Sequence, residues 1–174
     1  MSIPSDLSRR TVVWLIPIFL TLHNAEEAVA FRAYLPRLPA LLPTPIASLA
    51  ASLSYATMLI VLSALSAIAF LVALVAVVRP ESRSTLWALL VLETTVAVNV
   101  IAHVLTAATV FHGYAPGLAT AVLVNAPFAI YVLRRVWREQ WVSPAALWAT
   151  VPASLVLHGP ILVGGLWLAG RLAA

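Results

Sequence analysis

Residues 51–78 carry no charged side chain at all. A stretch so long and so apolar belongs either in the middle of a large core or across a lipid bilayer. Size decides between the two. The chain has 174 residues, 63% of them hydrophobic and 9% charged, with a mean hydropathy of +1.02. A short globule leaves much of its surface exposed, and an ordinary soluble domain carries roughly 25% charged residues. The apolar residues are therefore expected to face lipid. Crossing a ~30 Å hydrocarbon core takes roughly 20 helical residues, and each crossing segment must satisfy its own backbone polar groups. The alternating strands of a transmembrane barrel are absent. The expected fold is all-α: one polytopic membrane domain over residues 1–174, a bundle of about five transmembrane helices at about 11–31, 51–78, 84–111, 117–134 and 145–170. The apolar run after MSIPSDLSRR reads as a retained first span, because no small-x-small cleavage site follows a short apolar core.

The connections carry opposite loads of charge. All ten basic residues are arginine. Arg9, Arg10, Arg79, Arg83, Arg134, Arg135 and Arg138 fall on one side, and Arg32, Arg37 and Arg171 on the other. The excess of positive charge places the N-terminus in the cytoplasm. Trp14, Trp87, Trp137, Trp141 and Trp167 lie near span ends, where amphipathic rings favour the interface. So sparse a charge excludes a nucleic-acid-binding face. The absence of cysteine excludes disulfides, thiolate metal sites and Cys nucleophiles. In the first external loop, Pro36, Pro39, Pro43 and Pro45 argue against a regular helix and for an extended or re-entrant lid. Pro17, Pro127, Pro152 and Pro160 fall inside spans 1, 4 and 5 and should kink them.

Within this apolar frame the first span contains HNAEE, residues 23–27. A charge at bilayer depth costs at least ~2.5–3.5 kcal/mol, so intramembrane acids are functional candidates. His23, Glu26 and Glu27 are spaced i, i+3 and i, i+4 and share one helix face. Asn99 and His103 repeat the i, i+4 spacing in span 3, His158 precedes Gly159-Pro160 in span 5, and Asn125 lies in span 4. At ~1.5 Å per residue, these positions fall in the outer half of the bilayer, as a single buried site would require. Glu93 lies deeper, as a helix–helix hydrogen-bonding partner or a member of a proton relay. His112 is expected at the outer surface and outside the site. Arg32 could pair with a carboxylate or with an anionic substrate group.

Imidazoles and carboxylates without thiolates suit Zn²⁺, or non-haem Fe or Mn. The candidate metal ligands are His23, Glu27, His103 and His158. Glu26 or Glu27 could serve as general base on bound water. Asn99, placed with Glu26 and Glu27 among the catalytic candidates, and Asn125 could orient ligands or stabilise an oxyanion. The leading expectation is a membrane-embedded metal-dependent hydrolase or oxidoreductase acting on a lipid-soluble substrate. A proton-coupled transporter or channel using buried Glu and His is the alternative, and would string polar residues through the full membrane depth. A non-catalytic metal- or haem-binding subunit is the third, although bis-His haem ligation leaves the adjacent glutamates without a purpose. Partners are the bilayer and a lipid-soluble small molecule, with no nucleic acid; a homo-oligomer stays open.

HNAEE, the later His103 and Tyr114-Ala-Pro-Gly117 together resemble the HXXEE-domain family of small bacterial membrane proteins, whose pattern is an HxxEE motif, a second histidine and a YxPG motif. The three elements stand in the expected order and frame roughly residues 15–135. The resemblance implies a bacterial cytoplasmic-membrane protein without an established activity. It makes His23, Glu26, Glu27 and His103 the signature polar residues, with Tyr114, Pro116 and Gly117 forming the turn that opens span 4. A fainter similarity is to intramembrane CAAX-type proteases, which pair EExxxR with later histidines. Here Arg32 follows Glu26-Glu27 one residue too late, and Asn99 stands where FxxxH needs Phe.

Overall fold

Serine side chains open four of the helices. In the computed structural model, which describes residues 7–42 and 44–172, the chain runs through α1 (Arg9–Tyr34), a 3₁₀ turn (Leu35–Arg37), α2 (Leu38–Leu41), α3 (Thr44–Ser52), α4 (Tyr55–Val78) and α5 (Arg83–Thr109). It continues through α6 (Leu118–Thr120), a π-helical turn (Ala121–Asn125), α7 (Ala126–Glu139), α8 (Pro144–Val156), a second π-helical turn (Leu157–Ile161) and α9 (Leu162–Leu172). Ser8, Ser54, Ser82 and Ser143 each accept a hydrogen bond from the amide three residues on, capping α1, α4, α5 and α8. The described residues contain no strand.

Five helical segments are long and apolar enough to cross a membrane: Arg9–Leu41, Tyr55–Val78, Arg83–Thr109, Leu118–Glu139 and Pro144–Arg171. They are not equally covered. In the most apolar window of the third, 39% is buried inside the protein, against 6% in the fifth. The third candidate span is therefore central and the fifth peripheral. At the arginine-rich end, Val12, Leu86, Leu90, Val132 and Val136 form one apolar cluster, joining α1, α5 and α7. Val13, Ile16, Ala73 and Leu89 form a second against α4. Farther along, Phe19 and Phe128 meet edge to face at 4.8 Å.

The proline-rich segment differs from the extended lid read from the sequence. Pro36, Pro39 and Pro45 are the second residues of the 3₁₀ turn, of α2 and of α3. There a missing N–H costs nothing, since first-turn amides have no intrahelical acceptor. The segment is thus a run of short broken helices; Pro43 lies outside the described residues. Pro17 and Pro152 lie inside α1 and α8, whereas Pro127 and Pro160 act through widened turns. Pro127 follows one π-helical turn and Pro160 lies within the other. A wider turn relieves the clash between the ring and the carbonyl four residues back.

Candidate functional site

Four turns into α1, the imidazole of His23 is completely buried, and its two nitrogens face different elements. Nδ1 lies 2.9 Å from the Thr120 hydroxyl at the start of the fourth span. Nε2 lies 2.9 Å from Asn99 Nδ2 and 3.1 Å from His103 Nε2, both on α5. The Thr120 hydroxyl is also 3.4 Å from the carbonyl of Gly117, which can only accept. Thr120 therefore donates to Gly117 and accepts from His23 Nδ1–H, which leaves the Nε2 lone pair turned toward the cluster.

Glu27 completes the group from one turn farther along α1. Its Oε1 is 3.2 Å from His103 Nε2 and 3.9 Å from His23 Nε2. One ligand atom from each of His23, Glu27 and His103 lies within 4.8 Å of the others. Two helices thus deliver three donors to one point. Tetrahedral bonds of ~2.0–2.2 Å from zinc to nitrogen and oxygen put neighbouring ligand atoms roughly 3.3–3.6 Å apart, close to the separations here. The donor set is hard-to-borderline and contains no thiolate, as the sequence requires.

The YxPG turn forms the cover. Gly117 has φ +81°, a left-handed conformation that side chains resist. A Cβ at this position would come within 2.7 Å of His23 Cε1 and of Glu27 Cγ, and 2.9 Å of His103 Cε1. Glycine is thus required twice, by its backbone angle and by the three residues beneath it.

Glu26 has a different setting from its neighbour. Its carboxylate accepts hydrogen bonds from the Tyr114 hydroxyl, from the Ala119 amide at 3.0 Å and from the Thr120 amide at 2.6 Å. Gly117 stands at the N-cap of α6 with no side chain to offer. Glu26 supplies the missing acceptor from another span and carries negative charge to a helix N-terminus, where it is favoured. Burial and the Glu26 carboxylate push the Tyr114 phenol up to about 12, so it remains a donor throughout the neutral range. Tyr34 ties the same turn to the end of α1 by donating to the Tyr114 carbonyl at 3.0 Å.

The other candidates are placed as follows. Asn99 touches His23 directly. His158, half-buried in the second π-helical turn, stands outside the three-residue group but within electrostatic reach of His103 and Glu27. Glu93 and Asn125 are almost wholly buried; Glu93 Oε1 and both polar atoms of the Asn125 side chain lack a hydrogen-bond partner among the described residues. Arg32 is exposed and makes no ion pair with Glu27 among the described residues. Sequence reasoning missed Thr120 as the partner of His23, and Tyr114 as the donor to Glu26. The only trace of the first is a hydroxyl three residues beyond YxPG.

A search of the protein families matches residues 14–132, more than half of the chain, to a family described as "Protein of unknown function with HXXEE motif". This chain belongs to the HXXEE family. The matched segment runs from α1 to α7 and includes every residue of the cluster and of its cover. No curated protein and no solved structure matches this HXXEE protein.

Proposed function

We propose that the HXXEE protein is a membrane-embedded, metal-dependent enzyme, a hydrolase or oxidoreductase, whose metal is held by His23 Nε2, His103 Nε2 and Glu27. The observation that carries this reading is the convergence of those three ligand atoms within 4.8 Å. The hydrogen bonding adds support. His23 Nε2 has a single lone pair, yet Asn99 Nδ2 and His103 Nε2 both approach it. A cation among two imidazole nitrogens and one carboxylate oxygen uses all three acceptors at once. Three protein ligands, rather than four, are the arrangement that leaves a position for water or substrate. Zn²⁺ fits the donors, and Fe or Mn would fit them with further water ligands.

When bound, such a metal would supply Lewis acidity and a water acidic enough to ionise near neutral pH. The chain's own residues do the positioning. Thr120 sets the tautomer of His23, Asn99 offers an amide beside the ligand atoms, and Gly117 covers them. Glu26 is engaged by three donors, so its role here is to position the fourth span. An apolar groove of about 950 Å³ between α5 and the fourth span, bordered by Val104, Ala107, His112, Tyr114, Ala119 and Leu123, supports a lipid-soluble substrate. The arginine-rich end supports a cytoplasmic N-terminus. The five apolar helices support residence in a membrane, and the resemblance to small bacterial membrane proteins makes the bacterial cytoplasmic membrane our reading of which one.

The deciding experiment is metal analysis of the detergent-purified protein and of His23→Ala and Glu27→Ala. One equivalent of Zn, Fe or Mn in the wild type, lost in both variants, is the expected result. Metal-free protein that unfolds at the same temperature with and without added metal would overturn the reading. A proton-coupled carrier is the second reading, favoured by the unpartnered polar atoms of Glu93 and Asn125. It expects proton uptake by reconstituted vesicles to depend on Glu93.

A further inference from the structure

At the opposite end of the molecule from the His/Glu cluster lies a pocket of about 280 Å³ between α1, α4 and α5. Arg9, Arg10 and Arg79 border it together with Ser82, while Val13, Ala76, Val77 and Leu86 form an apolar lining. None of the three arginines has a carboxylate within ion-pair distance among the described residues, where the one arginine–carboxylate pair is Arg135–Glu139. Arg9 instead stacks over the Trp141 ring at 5.0 Å.

The electrostatics here run against ordinary helix design. The N-terminal ends of α1 and α5 both border the pocket, and each presents the positive pole of its helix dipole. Neither helix has an acidic residue in its first turn. Both have arginine there instead: Arg9 and Arg10 in α1, Arg83 in α5. Two positive helix ends and three guanidinium groups around one cavity leave positive charge that no carboxylate among the described residues meets within ion-pair distance. An anion would balance it. Guanidinium groups match phosphate oxygens through paired hydrogen bonds.

We propose that this pocket binds the phosphate headgroup of an anionic phospholipid. Free phosphate shares the charged half of that chemistry, but it would have no use for the aliphatic half. Val13, Ala76, Val77 and Leu86 suit the glycerol and the first methylenes of an acyl chain. The headgroup would lie at the level where a span end meets the membrane surface. Basic pockets between transmembrane helices are a recurrent means of recognising such lipids. The site is separate from the His/Glu cluster, and its test does not depend on any metal.

The test is native mass spectrometry of the full chain in neutral detergent, titrated with phosphatidylglycerol, phosphatidylcholine or inorganic phosphate. Wild-type protein should retain one phosphatidylglycerol in preference to the zwitterionic lipid, with affinity falling as ionic strength rises. The double variant Arg10→Gln/Arg79→Gln should weaken this about tenfold or more. Arg134→Gln/Arg138→Gln, which removes equal charge from the same end of the protein, should leave it unchanged. Equal binding of phosphatidylcholine, equal binding of inorganic phosphate, or equal losses in both double variants would each overturn the proposal. Circular dichroism of the variants separates lost binding from lost folding, and these arginines are exposed.

Discussion

Gly117 carries more of the site than its size suggests. Alanine there must hold a left-handed backbone at a cost of roughly 1–2 kcal/mol, and its methyl would overlap His23 and Glu27 at 2.7 Å. Gly117→Ala is therefore expected to lower the unfolding temperature in detergent and to reduce bound metal. Gly113→Ala, whose added Cβ would meet only a carbonyl oxygen at 3.8 Å, is the control. Thr120 is subtler. Thr120→Val keeps the shape but removes the acceptor that orients His23. Partners of metal-bound histidines typically contribute 10–100-fold in affinity. A loss in that range, read by competition with a chelator at unchanged stability, is the expected outcome. The separation of Glu26 from Glu27 was not legible in the motif. Adjacent helical residues point about 100° apart, and which of them meets His103 depends on where α5 and the YxPG turn lie. Spacing grouped them; only packing told them apart.

The elements were easier to anticipate, for a physical reason. A run of residues in lipid has few alternatives to a helix, so hydropathy alone brought out five apolar segments and the all-helical class. It could not show which of them cover one another. Burial inside the protein and burial in lipid select the same side chains, so the peripheral place of the fifth segment left no mark in composition. The proline-rich connection was misjudged because a proline count ignores position, and first-turn prolines are compatible with helices. Between α1 and α4, Asn24 Nδ2 donates to the Leu62 carbonyl at 3.1 Å and to the Ser66 hydroxyl at 2.9 Å. Interhelical hydrogen bonds in membrane proteins average ~0.6 kcal/mol. Asn24→Leu should therefore cost on the order of 1 kcal/mol in denaturation by SDS, with metal content preserved. A change above ~3 kcal/mol would mean that Asn24 does more than join two helices.

For the molecule as a whole, the orientation read from arginines is directly testable, because the chain has no cysteine of its own. Single cysteines at Ser84 and Gly113 occupy opposite ends of the third candidate span and its following turn. In intact cells, a membrane-impermeant thiol reagent should label Gly113→Cys at once. Ser84→Cys should react only after permeabilisation. The reverse pattern would invert the topology and move the His/Glu cluster to the inner half of the bilayer.

The fastening of Glu26 to residues 114–120 has a consequence for how the protein is made. His23, Glu27 and His103 all precede, in order of synthesis, the turn that covers them. Until the fourth helix enters, Glu26 has none of its three donors, and the ligand atoms have no cover. The cluster is thus enclosed only once the fourth span has entered, and the ion proposed for it would have its freest access before then.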